Sequence, residues 1–292
     1  MQFTCHDLAQ CRDLPPGVTS LIKNLVWIGA PPIVAAVALL VVARTHLAGS
    51  DAQTLDAVEF FAGARAFSNA VAEAGRAVVA YDIVYDADRM DILSDVGFAN
   101  AVRLVLSLHS GSQSLSAPVC SSWTFINRGT SCRSSAFPLG NTAEPSVQAA
   151  NRMVYRQVIL LWLFTAKGVF WVLEQPAGSL LERHDAFVHL CTYINIWKTS
   201  IHMDEFGGDT SKPTWLYSAH ASVLARLYNC RHFKTRKREH GSVVSLQRSY
   251  KHEYVHRVDT ALCPLRQNEI ILCSVGKPCK ILLQRRSIII TK

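Results

Sequence analysis

Apolar positions along this chain switch repeatedly between two periods, and the switching predicts the architecture. Val58 to Phe61 is a short apolar run broken by Ala62-Gly63, which reads as a strand entering a turn. Phe67, Val71 and Ala74 then recur at helical spacing, with Gly75 as the stop of that helix. Val78 to Tyr81 is a second apolar strand and ends on Asp82. Val58–Ile83 is therefore one β-α-β unit. Met90 to Leu93 is expected to end a short third strand, and Val96 to Leu108 to form a helix with Phe98, Val102 and Val105 on one side. Ser110 to Ser116 reads as a serine-rich loop. Phe125 to Gly140 is polar and rich in Ser, Gly and Arg, which suits a mobile active-site loop better than a core element. Val147 to Ala166 predicts a long helix and Val169 to Leu173 a strand ending in Glu174-Gln175-Pro176. Residues 179–195 are expected to be helical, and 206–218 to be a glycine turn followed by a strand.

Strands alternating with helices imply an α/β, Rossmann-like, doubly wound and mostly parallel sheet, with ligands bound at the strands' carboxyl ends. The polar groups of interest collect at such ends: Glu59 with Gly63, then Asp82, Asp91, Cys120 and Glu174. An acid closing the first strand, a glycine at the turn and an acid at the tip of the next strand form a nucleoside-cofactor pattern. Glycine lets the backbone approach the ligand, the helix start offers free N–H groups, and Asp82 can accept both ribose hydroxyls.

Flanking this domain, placed at 55–228, are two extensions of different character. Within 1–50, Leu25 to Ala43 is a 19-residue run without charge, between Lys23 and Arg44. That is close to the roughly 20 apolar residues that span a bilayer. Pro31-Pro32 would kink a helix there, and the mixed-charge leader is a poor signal peptide. A membrane anchor, a targeting leader, an apolar helix packed on the domain and an irregular extension all stay open. The charge of +8 is a property of the tail: residues 1–228 hold 16 basic and 18 acidic residues, whereas 229–292 hold 14 and 4. Arg231 to His240 is a basic run that reads first as a solvated charge face and second as a phosphate grip.

Nine cysteines without a C-x-x-C pair argue against a zinc ribbon or a regular disulfide framework, and for free thiols in a reducing compartment. His184, His189, His202 and His220 show no metal-ligand spacing. The segment Gly63-Ala-Arg-Ala-Phe67 lacks the G-x-G-x-x-G spacing of a nicotinamide site.

Taken in order, three segments resemble the cytosine-C5 DNA methyltransferases. Glu59-Phe-Phe-Ala-Gly63 with Phe67 resembles their Asp-Leu-Phe-x-Gly-x-Gly-Gly-Phe opening. Ala117-Pro-Val-Cys-Ser-Ser-Trp123 resembles their Gly-Pro-Pro-Cys-Gln-x-Phe loop, and Val172-Leu-Glu-Gln-Pro176 their Val-Leu-Glu-Asn-Val strand end. The resemblance covers about 56–220 and implies a class I methyltransferase fold with S-adenosylmethionine as cofactor. It implies that Glu59, Phe61, Gly63, Phe67 and Pro118 shape the cofactor site, that Asp82 takes the ribose, and that Asp91 and Ile92 face the adenine. Cys120 would be the nucleophile, adding as a thiolate to C6 of a pyrimidine so that C5 accepts a methyl group, with Arg128 or Arg133 supplying positive charge. Glu174 would hold the base, which must leave the stack to arrive there. The implied substrate is nucleic acid, DNA before RNA. Arg65-Ala66 in place of the glycine pair, Val119, Ser121 and Gln175-Pro176 depart from the pattern. The family's later Gln-x-Arg-x-Arg strand and its large recognition domain have no counterpart, which leaves a catalytically inactive binding protein as the alternative.

Overall fold

In the computed structural model, residues 16–45, 54–206 and 210–229 are described, together with the backbone of 247–248, 280–284 and 287–291. Two helices, α1 (Pro16–Trp27) and α2 (Pro32–Thr45), precede strand β1 (Leu55–Phe60), helix α3 (Ala66–Glu73) and strand β2 (Val78–Tyr81). A four-residue helix α4 (Ala87–Met90) and α5 (Asp95–Leu106) lead into β3 (Leu108–Ser116). Next come a short turn of helix, α6 (Arg128–Ser131), then α7 (Pro145–Lys167), β4 (Phe170–Pro176) and α8 (Asp185–Tyr193). The chain continues through β5 (Trp197–His202), β6 (Pro213–Ser218), α9 (Ala221–Asn229) and the two-residue β7 (Gln247–Arg248).

Among the described residues the main sheet runs β2-β1-β3-β4-β6-β5-β7. β2, β1, β3 and β4 are mutually parallel, while β6 is antiparallel to both β4 and β5. Alternation along each strand sends side chains to two helical layers. Val58, Phe60, Trp171 and Leu173 pack with α1, α2, α5, α7 and α8 in the larger core, whereas Ala57 packs with Phe67, Ala70 and Val71 of α3. Val172 and Leu216 pack with Val223, Leu224 and Leu227 of α9. The protein is thus α/β with a mostly parallel sheet, compatible with a Rossmann-like fold. β1 has β2 on one side and β3 on the other. The chain reverses its winding there, so the crevice at the carboxyl end of β1 is the switch point where such sheets bind ligands.

Four elements differ from the periodicity. The serine-rich segment expected to be a loop is β3, a strand paired on both sides. Ser112, Ser114 and Ser116 are buried, because small side chains let the covering helices approach a central strand. Met90–Leu93 forms no strand. Asp86 caps α4 by accepting from Arg89 N at 3.0 Å, and the Asp91 carboxylate accepts from Leu93 N at 2.8 Å. These two side chains turn the backbone away from an extended path. β5 and α9 also arise where no element was expected.

The apolar N-terminal run folds as two helices, broken at Gly29 to Pro31. Leu21, Ile22, Leu25, Val34, Ala35, Ala38 and Val41 join the main core. Among the described residues no helix is long and apolar enough to cross a membrane. Most of the basic tail lies outside the described residues. Within it Lys280–Gln284 and Ser287–Thr291 pair as an antiparallel ribbon.

Candidate functional site

Three loops leave neighbouring carboxyl ends. Phe60 is in register with Ser116, and Ser116 with Leu173, so the glycine turn, the Cys120 loop and Glu174 emerge side by side from β1, β3 and β4.

The glycine turn is braced from both sides. Glu59 is buried, and its Oε2 accepts from Ser68 N and from Ser68 Oγ, both at 2.7 Å. Burial raises its carboxyl pKa, against the lowering effect of those bonds. This fastens the start of α3 to the end of β1. Asp82 accepts from Gly63 N at 2.9 Å through one oxygen and from Val84 N at 3.1 Å through the other. Tyr85 Oη donates to the Gly63 carbonyl, and the Arg65 guanidinium stacks 3.6 Å over the Tyr85 ring. Phe61, Gly63 and Arg65 have φ of 58°, 42° and 57°. Two of them are not glycine, so this backbone holds a conformation that costs of order 1 kcal/mol or more per residue. A Cβ at Gly63 would meet nothing within 4 Å, so open space faces the turn. Phe67 is buried beneath it.

Asp91 lies after α4. Its carboxylate accepts from Leu93 N, and its carbonyl from Ser94 Oγ at 3.0 Å. Ile92 is buried in the core, and its carbonyl accepts from Arg156 Nη1 at 2.8 Å. The side chain thus packs into the core, while Asp91 stays partly exposed at the surface.

Gln175 ties the second loop to the third. It is fully buried on the α7 face of β4, donates through Nε2 to the Pro118 carbonyl at 2.8 Å, and accepts from Ser179 Oγ at 2.9 Å. Glu174, one residue earlier, faces the other layer, the same one as Glu59. It accepts from Lys212 Nζ at 3.3 Å. Cys120 is a partly exposed free thiol at the start of the turn Ser121–Trp123. Cys191 is pushed up to about 12 by burial and by Glu182, so that thiol is inert at neutral pH.

Below the Cys120 loop is a polar cluster that periodicity does not reveal. Arg133, expected as a positive neighbour of Cys120, is buried and stacks 3.5 Å over the Trp123 ring. It donates to Ser122 O and Oγ, to Pro138 O at 2.7 Å and to Asn151 Oδ1 at 2.8 Å. Every one of these acceptors is neutral, and burial lowers the guanidinium to about 10. Its bonds therefore hold the 121–141 loop on α7. Arg128 instead lies over the exposed Phe125 ring at 4.7 Å. His184 is fully buried, with Trp123 at 5.5 Å and Tyr155 at 4.5 Å between ring centroids. Burial holds it at about 4, opposed by Asp185 and reinforced by Arg133. The signal for this cluster was an arginine in a serine-rich loop close to a tryptophan, which specifies no partner by itself.

A cavity of about 450 Å³ lies elsewhere, at the amino end of β4, lined by Ser20, Asn24, Trp27, Ser110, Thr165 and Lys167 among others. Lys167 Nζ donates to Leu106 O, the last residue of α5, at 3.1 Å. There the ammonium offsets the partial negative charge of two helix ends.

No protein-family model matches this chain, and no curated protein matches it.

Proposed function

We propose that this chain is a class I, S-adenosylmethionine-dependent methyltransferase resembling the DNA cytosine-C5 enzymes, with Cys120 as nucleophile and Glu174 as the acid that holds the base. The observation carrying this reading is the bond from Gln175 to the Pro118 carbonyl. It fixes the cysteine loop to the strand end that bears Glu174, beside the switch-point crevice where Gly63 and Asp82 stand. The glycine turn fits the cofactor. Its outer side is open at Gly63, Glu59 holds the helix start behind it, and each Asp82 oxygen keeps a lone pair after its backbone bond. When bound, S-adenosylmethionine supplies an electrophilic methyl group on a sulfonium. The chain's own contribution is to orient a thiolate at Cys120 toward C6 of a flipped pyrimidine, with the Glu174 carboxyl group at its edge, donating to N3 and accepting from the amino group. Lys212 pairs with Glu174 and would give way to the base when it arrives. Nucleic acid is the proposed substrate, DNA before RNA.

The reading of a fold that binds without turnover is favoured by one feature, the Arg65–Tyr85 stack drawn over the Gly63 carbonyl. Two measurements separate the alternatives. Calorimetry should detect S-adenosylmethionine binding that weakens at least about ten-fold in Asp82→Ala, for the loss of the ribose acceptor. Tritiated methyl transfer to DNA and RNA should be seen with wild type and be lost in Cys120→Ser. Binding without transfer to either polymer selects the inactive relative. Full activity of Cys120→Ser removes the covalent mechanism, and absence of cofactor binding removes the class.

A further inference from the structure

The outward face of the N-terminal helix pair carries a continuous apolar stripe in solvent. From Pro32 to Ala43, α2 is apolar on every side. Its inner stripe, Val34, Ala35, Ala38, Val41 and Val42, is buried. Its outer stripe, Ile33, Ala36, Leu40 and Ala43, repeats at i, i+3, i+7 and i+10 and lies in solvent, with Ile33 58% and Leu40 52% exposed. α1 adds Val26 and Trp27, the indole 79% exposed at the end of the helix. A helix of a globular domain normally turns charged and polar residues outward. Here the exposed charges are Lys23, one turn before Trp27, and Arg44, one turn after Leu40. No acidic residue occurs between Asp13 and Asp51.

We propose that this face docks on an anionic lipid surface and lies in the plane of the headgroups. The chemistry is complementary. Aliphatic side chains and one indole enter the headgroup–acyl boundary, and two cations at the ends of the stripe meet lipid phosphates with no carboxylate to repel them. The described length of α2 falls short of a crossing: 14 residues rise about 21 Å, against about 30 Å of hydrocarbon. Crossing is also opposed by attachment. Asn24 Nδ2 donates to Ala166 O at 2.8 Å, and a Cβ at Gly29 would stand 2.4 Å from the Tyr193 ring, so the turn between the helices is pressed onto α8. With the inner stripe in the core, the outer stripe is the part available to lipid. A second copy of the chain is a poorer occupant, since pairing the stripe with itself sets cation against cation.

The test is co-sedimentation of the full chain with vesicles of phosphatidylcholine alone, and with one third phosphatidylglycerol. Binding is expected to the anionic vesicles, with a fraction surviving 0.5 M salt (roughly the regime where surface charge is screened). Ile33→Asp with Leu40→Asp should lower partitioning at least about ten-fold, as removal of one to two buried aliphatic side chains requires. Because those changes could disturb folding, Trp27→Phe gives an independent readout. The wild-type emission should shift to the blue on anionic vesicles, and the shift should shrink in the variant. Binding that is unaffected by Ile33→Asp/Leu40→Asp and abolished by salt assigns the effect to the basic tail and overturns the proposal. So does failure to bind either vesicle, or a wild-type dimer in sedimentation velocity that the double variant dissolves.

Discussion

His184 makes the stability of the Cys120 loop's support dependent on pH, and the sign follows from its burial. The ring sits between Trp123 and Tyr155 with no exposed surface, and burial depresses its pKa to about 4 from an ordinary value near 6.5. Between those values the unfolded chain binds a proton that the folded protein refuses. Stability therefore rises with pH from about 4 to about 6.5 and is fully present above that. A shift of about 2.5 units corresponds to at most about 3 kcal/mol, with a slope no steeper than about 1.4 kcal/mol per pH unit for one proton. The value of about 4 already contains the opposing charge of Asp185 beside Nδ1, so about 3 kcal/mol is expected. His220, whose pKa burial also lowers, and Glu59, whose pKa burial raises, act in overlapping windows, so a difference measurement is needed. His184→Asn removes the titration while keeping a side chain that caps α8 at Ala186 N. Urea unfolding at pH values from 4 to 7.5 should show a wild-type slope that the variant loses by about 3 kcal/mol across the window. Equal slopes in the two proteins would refute the reasoning.

Gln175→Leu removes both bonds that hold the β4 tip to the Pro118 carbonyl and to Ser179 while keeping the volume nearly constant. A loss of about 2–4 kcal/mol in denaturant unfolding is expected, together with faster alkylation of Cys120 by mass mapping. Unchanged labelling would mean the loop does not depend on that bond. Gly97→Ala places a Cβ 1.9 Å from the Asp91 carbonyl oxygen, a backbone atom that cannot rotate away, and should cost about 3 kcal/mol in the same assay. Gly63→Ala meets open space and should cost only the left-handed backbone term of about 1 kcal/mol, so the reverse ranking would contradict the geometry.

What local pattern determined was the run of elements whose periodicity is strong and whose ends are punctuated. Val78–Tyr81 is the expected strand to the residue, and Pro145–Lys167 contains the expected helix, closed by Gly168 in the left-handed region. The β1-α3-β2 unit was legible for the same reason: apolar side chains state their period without help from the rest of the chain. Leu108–Ser116 was not legible, because a strand made largely of serine has no apolar period. It becomes a strand only when β1 and β4 supply partners on both sides. The site divides in the same way. Glu59, Gly63, Asp82, Cys120 and Glu174 stand at ends of elements and could be named from residue types. Tertiary structure decided that Gln175 pins the cysteine loop, that Arg133 serves as a buried strut, and that Ile92 faces the core. Gln175 reaches a partner 57 positions away and Arg133 one 18 positions away, and no local period encodes such distances.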